Sequence, residues 1–286
     1  MKSLAIAAAF LFTFRLAAAQ EPLLRDAALK QLYNLYDAKK GTAQWICPDA
    51  QKAEGPHAGW QCLKEYSTVS VDVLLIALVQ EGATPKTYLI TSAEPAPDPP
   101  EHYDCHACAP AIGLGVFAWR DGQWVLESAN AAAEFYGGWG RPPGISLVNV
   151  GPARHGVVLS SDDMGQGYAW SAAVLLVPLG KTASAVWSID DERDDAGAFD
   201  PTDKWGPRVL YRSSAAFKFC ACDGNDKNDE FYGIEVISRG SDQKSKSDRG
   251  KPENWTEIYT FKEGKYRLAR RTNFVEVSNQ DKKAHK

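Results

Sequence analysis

The densest chemistry in the chain lies in two short cysteine pairs, Cys105-His106-Ala107-Cys108 and Cys220-Ala221-Cys222. Thiols so spaced form disulfides, hold a soft metal as thiolates, or cycle between the two redox states. On an extended strand Cys220 and Cys222 point to one face with Cα atoms about 6.5–7 Å apart, at the limit for a relaxed disulfide. The expectation is therefore that they bridge to Cys105 and Cys108 rather than to each other. The alternative is a metal site, either zinc held by all four thiolates or copper held with the help of His106. His102 and Asp104 crowd the same loop. A redox-active pair needs a thiol at a helix N-terminus. Cys108 instead leads into Ala109-Pro110-Ala111-Ile112-Gly113-Leu114, which reads as the start of a strand. Haem attachment needs a histidine after the second cysteine, and Ala109 stands there. Cys47 and Cys62 bracket a loop of about 15 residues, each two residues after a tryptophan (Trp45, Trp60), and a bridge between them would contribute about 3 kcal/mol.

Disulfides belong to an oxidising compartment. The N-terminus agrees. Lys2 precedes an apolar run from Leu4 to Phe14, and Ala17-Ala18-Ala19 resembles a cleavage site, so residues 1–19 read as a secretion signal. The run is shorter than the roughly 20 residues that span a bilayer. The expected location is periplasmic or extracellular, with residues 20–286 forming one β-rich domain. Loss of residues 1–19 removes Lys2 and Arg15 and no acid, taking the net charge from −4 to −6. An acidic chain without a basic stripe gives no reason to expect nucleic acid as a partner. Membrane insertion is not expected either.

Only one helix is expected, near the start. Leu24, Ala28, Leu32, Leu35 and Tyr36 recur at helical spacing, and Gly41 follows as a stop. After it the pattern turns to strands. Apolar segments flank Glu81-Gly82, Asp121-Gly122, Gly180-Lys181 and Glu263-Gly264, each a hairpin signal. A polar loop between Cys222 and Phe231 joins a further pair, with the first strand drawn through Cys222. The hairpin about Asp121-Gly122 aligns without gaps to the one about Glu263-Gly264, and a two-residue turn places Trp119 opposite Trp124 and Phe261 opposite Tyr266. Such cross-strand aromatic pairs contribute about 0.2–1 kcal/mol each. Residues 94–100, 190–204 and 240–254 read as loops. The fold class is mostly β: an antiparallel, hairpin-rich sandwich or irregular barrel with one N-terminal helix.

Catalytic patterns are weak. No Gly-x-Ser-x-Gly elbow occurs, and His155, Ser160, Ser161, Asp162 and Asp163 are neighbours in sequence without an assembled triad. The acidic runs at Asp190, Asp191, Asp194 and Asp195, and from Asp223 to Glu230, lack the calcium-loop pattern. The nine tryptophans carry more weight. Gly137-Gly138-Trp139-Gly140 and Gly165-Gln166-Gly167-Tyr168 frame an aromatic side chain with glycines, and displayed aromatics anchor partners. The expected activity is non-catalytic binding through Trp139 and Tyr168. The partner would be a protein, as for an envelope inhibitor or immunity-type protein, or a saccharide of the cell envelope. No cofactor is expected on this reading. The alternative is a metal-binding or thiol-redox envelope protein using Cys105, His106, Cys108, Cys220 and Cys222 with zinc or copper.

Overall fold

The computed structural model describes residues 22–45, 68–96, 108–194, 210–222, 230–243 and 251–274. Among the described residues one helix, α1 (Arg25–Leu32), precedes thirteen strands: β1 (Thr42–Gln44), β2 (Thr68–Glu81), β3 (Thr84–Pro95), β4 (Ala111–Arg120), β5 (Gln123–Phe135), β6 (Gly144–Gly151), β7 (Arg154–Gly165), β8 (Tyr168–Leu179), β9 (Thr182–Asp194), β10 (Leu210–Cys220), β11 (Gly233–Gln243), β12 (Lys251–Lys262) and β13 (Lys265–Asn273). β1 to β5 form one sheet and β6 to β13 a second, each in sequence order and antiparallel throughout. The mostly β, two-sheet reading of the sequence is what the chain builds.

Two-residue turns set the registers. Asp121 and Gly122 both take positive φ, as do Glu263 and Gly264, which is the geometry a tight hairpin turn demands. Trp119 then pairs with Trp124 and Phe261 with Tyr266, and both pairs meet edge to face. Gln166 and Gly167 make a third such turn, so the glycines near Tyr168 serve β7 and β8 rather than a displayed loop.

Three layers of apolar side chains follow from the alternation of strand residues. Ile112, Leu114 and Val116 of β4 meet Val157, Leu159, Val174 and Leu176 of β7 and β8 between the sheets. The other face of the first sheet carries Val69, Leu89, Ala93 and Phe117 beneath Ala28, Leu29 and Leu32 of α1. Within the curl of the second sheet, Leu175, Val177, Trp187, Ile234, Val236 and Tyr266 form the third cluster. Gly113 and Gly115 of β4 let the N-terminal segment come close: a Cβ on Gly113 would lie 2.9 Å from Tyr33 Oη, and one on Gly115 3.7 Å from Leu32.

The helix is shorter than its apolar spacing suggests. Tyr33 is already extended (φ −115°, ψ 138°), and its hydroxyl shares a buried hydrogen bond of 2.7 Å with Thr91 Oγ1. Asp37 then accepts from the amide of Lys39 at 2.9 Å, a side-chain-to-backbone bond typical of a turn. Gly41, at φ 67°, closes that turn instead of ending the helix.

Two expected loops contain strand. β9 runs to Asp194, so Asp190, Asp191 and Asp194 sit on a paired strand and form no calcium loop. β11 and β12 extend to Gln243 and from Lys251, shortening the expected loop of 240–254. Among the described residues neither sheet closes on itself in the strand order, yet β13 returns to touch β9, which gives the second sheet a half-barrel form.

Candidate ligand-binding cleft

The half-barrel is held open at one place. Among the described residues, β10 pairs with β9 only through Arg212–Ser214 against Glu192–Asp194. Among the described residues, the stretch of β9 before Glu192 has β8 as its one paired neighbour strand. A cleft of about 490 Å³ lies along this stretch, lined by Ala185, Val186, Trp187 and Ser188 of β9. Glu134 and Tyr136 wall it at the end of β5, Val174 lies on β8, and Tyr259, Lys265 and Tyr266 come from β12 and β13.

Bulges aim these side chains. The register slips between Leu175 and Leu176, so Leu175 faces Trp187, Leu176 faces Ala185, and Val186 is left over. Trp187 thereby turns to Phe217 and Tyr259, with ring centroids 4.9 and 6.0 Å away. In β5 the register slips from Asn130 to Glu134 opposite Ile112 to Leu114. Asn130 Oδ1 holds that bulge by accepting from the Ala132 amide at 3.0 Å, and its Nδ2 donates to the Ala183 carbonyl at 2.9 Å. The bulge therefore also ties β5 to β9 beside the cleft. Beyond Tyr136 the chain folds into a tight loop with Gly137 at φ 115°, where a Cβ would strike the Arg141 carbonyl. The Tyr136 amide donates to Pro110 O at 3.2 Å and the Gly140 amide to Cys108 O at 2.8 Å.

Hydrogen bonding divides the four cleft aromatics. The Tyr266 hydroxyl donates to Tyr232 O at 2.9 Å and the Tyr259 hydroxyl to Glu257 Oε2 at 3.0 Å. Burial, with the Glu257 charge beside it, pushes the Tyr259 hydroxyl up to about 12. Tyr136 Oη and Trp187 Nε1 are buried without a hydrogen-bond partner among the described residues. Burial raises the Tyr136 pKa, and the negative charges of Asp191, Asp190, Glu134 and Asp162 raise it further, so the hydroxyl keeps its proton. A buried polar group left unpaired costs about 1–3 kcal/mol. Both atoms are closed off from solvent, so they are a cost of packing beside the cleft and not part of its polar lining.

A second polar cluster is fully paired by contrast. Glu81, with a side chain only 5% exposed, accepts from Tyr88 Oη at 2.7 Å and from the His155 amide at 2.8 Å, lies 3.2 Å from His155 Nδ1, and pairs with Lys86 at 3.0 Å. Lys86 also reaches Glu127 at 2.8 Å. Burial alone would raise the Glu81 pKa, but the hydrogen bonds from Tyr88, Lys86 and the His155 amide and the Lys86 charge bring it below the ordinary carboxylate value. These groups join β2 and β3 to β7 across the sheets and leave no carboxylate valence for chemistry.

The sequence-derived site residues fare differently. Trp139 is 52% exposed and sits at φ 56°, and Tyr168 is 46% exposed at a hairpin turn; neither lines the cleft. Cys220 and Cys222 are bonded to each other, with Cα atoms 5.0 Å apart. The expected bridges from this pair to Cys105 and Cys108 are therefore not formed, and two of the four thiolates of a zinc site are consumed. The physical reason is that β10 ends at Cys220, and the bend at Ala221 shortens the separation an extended strand would impose. Cys108 is also disulfide-bonded, to neither of these two. Cys47, Cys62, Cys105 and His106 lie outside the described residues, as does the expected signal segment. Among the described residues no group of three or more His, Cys, Asp or Glu side chains is arranged to hold a metal ion.

No known family model matches this chain. No curated protein and no solved structure matches it either. The cleft thus rests on its own geometry. Its residues were not singled out in the sequence because they come from β5, β8, β9, β12 and β13 and converge through bulges. The one available signal was the hairpin register that places Tyr266 opposite Phe261.

Proposed function

We propose that the protein is a secreted or periplasmic binding protein without catalysis of its own, and that its ligand is a saccharide bound in the cleft along β9. The observation that carries this reading is the convergence of four aromatic side chains, Tyr136, Trp187, Tyr259 and Tyr266, with the polar side chains of Glu134, Ser188 and Lys265 around one cavity. A sugar ring matches both properties, since its C–H face packs on aromatic rings and its hydroxyls both donate and accept. Such pockets combine apolar lining with a few orienting polar groups. The open edge of β9 supports the reading further, because backbone groups of Ala185–Ser188 border the same space.

A glycan array probed with the intact protein tests the proposal. At least one saccharide class binds, and Ser188→Ala and Lys265→Met, at exposed residues that line the cleft, each weaken that binding about fivefold to tenfold, the effect of one lost hydrogen bond. Absence of binding to every saccharide, or binding that both variants leave unchanged, would overturn it.

A further inference from the structure

We propose that β13, the free edge of the second sheet, takes up an extended acidic segment of a partner protein as an added strand, with Arg267 and Arg270 receiving its carboxylates. This concerns the outer face of the sheet and does not depend on the saccharide reading. β13 stands last in the strand order, runs for nine residues without a proline, and among the described residues has β12 as its one paired neighbour. Its first two residues border the cleft, so the edge in question begins at Arg267. From there to Asn273 every residue is exposed. An edge strand leaves backbone N–H and C=O groups along one side, and an extended chain of another protein can pair with them.

A bulge gives this edge its charge pattern. Tyr259 faces Leu268 and Ile258 faces Arg270, so Ala269 is left over. Arg267, opposite Thr260, and Arg270, opposite Ile258, therefore share one face despite lying three residues apart. Tyr259 and Tyr266 belong to the other face, inside the curl. Lys262 and Lys265, paired across the turn, extend the positive row on the outer face, with Glu263 in the turn between them. Among the described residues these four cations have no ion-pair partner. The acid across the sheet from Arg270, Glu235 on β11, is already paired with Lys218, and on the inner face Glu257 holds Arg271 at 2.7 Å. The two arginines sit two β12 residues apart, about 7 Å, which matches acids at alternate positions of an extended partner. Opposite charges facing each other across strands stabilise the pairing and like charges weaken it. A second copy of β13 would bring the same cations, so the added strand belongs to an acidic partner. Guanidinium groups also suit carboxylates, since they bind them through two parallel hydrogen bonds.

Three labelled peptides, each of about nine residues to match the strand, test this by fluorescence anisotropy with the intact protein. One alternates glutamate with threonine, the second carries lysine in place of glutamate, and the third is the glutamate peptide N-methylated throughout, which keeps the charge and removes the backbone donors. The expected result is saturable binding of the first, about tenfold tighter than either of the others, together with slowed amide hydrogen exchange along β13. The double variant Arg267→Gln/Arg270→Gln loses about tenfold on the glutamate peptide, and Arg267→Glu/Arg270→Glu transfers the preference to the lysine peptide. Both positions are exposed, and a circular dichroism spectrum checks that each variant folds. Absence of binding by the glutamate peptide would mean that the arginines only guard a bare edge against pairing, and would overturn the proposal. Equal binding of the N-methylated peptide, the mark of a plain polyanion site, or an affinity unchanged by loss of both arginines would overturn it as well.

Discussion

Glu81→Ala lowers the free energy of unfolding by about 3–5 kcal/mol, the cost of removing one partner from a buried charge cluster. The substitution leaves Lys86, Tyr88 and the His155 amide without the acceptor they share at the seam between the sheets. Urea unfolding followed by tryptophan fluorescence measures the change. The pH dependence has a definite sign. The folded-state pKa of Glu81 lies below its ordinary value, so its contribution is fully present above the unfolded value of about 4.3 and is lost as pH falls through the folded one. Lys86 behaves in the opposite sense. Its partners Glu127 and Glu81 raise its pKa against the effect of burial, so its contribution holds below about 10.4 and is lost as pH rises through the folded value. Stability is therefore flat across neutral pH and falls at both extremes. Glu81→Gln flattens the acid limb specifically. An unchanged acid limb in that variant would mean that the carboxylate is not held as described.

Gly113→Val costs about 3 kcal/mol or more and loosens the N-terminal segment from the first sheet. Any Cβ at this position collides with Thr91 Oγ1 and crowds both Tyr33 Oη and the Ala131 carbonyl. Overpacking of this kind typically costs about 1–3 kcal/mol. Separation of the buried Tyr33–Thr91 hydrogen bond adds to it. Thermal unfolding gives the stability change, and limited proteolysis gives its location: cleavage near α1 accelerates ahead of global unfolding. Gly115→Ala, where the nearest atoms are a Phe117 ring carbon at 3.3 Å and Leu32 methyls, is milder. If both variants were equally stable, close packing of the N-terminal segment on β4 would not be a major source of stability.

Turn chemistry explains what the sequence reveals. Asp-Gly and Glu-Gly pairs tolerate positive φ, and the turns at 121–122 and 263–264 adopt it, which carries the register to Trp119, Trp124, Phe261 and Tyr266. The two-sheet β character follows from the same alternation. Helical spacing misleads at Leu35, which is solvent-exposed at φ 47°, because a local turn at Asp37 and the docking of Tyr33 outweigh the periodicity. The cysteine bonding escapes for a related reason. One bend at Ala221 brings Cys220 and Cys222 within bonding reach, and no periodicity marks where β10 ends. The glycines beside Tyr168 signal a hairpin turn, not a displayed loop. The cleft is least legible. Trp187 reaches it through a bulge at Val186 and Glu134 through a bulge after Asn130, and a bulge shifts every later side chain without a signature of its own.

The Trp187 indole N–H reports on the cleft directly. In a ¹H–¹⁵N spectrum the nine tryptophans give separate indole signals, and Trp187→Phe and Trp139→Phe assign two of them by loss. On titration with a mixture of oligosaccharides, the Trp187 signal moves saturably as a sugar fills the cleft that its side chain lines, while the Trp139 signal stays in place. A saturable shift of Trp139 with Trp187 unmoved, or no shift of either, would contradict the assignment of the β9 cleft as the binding site.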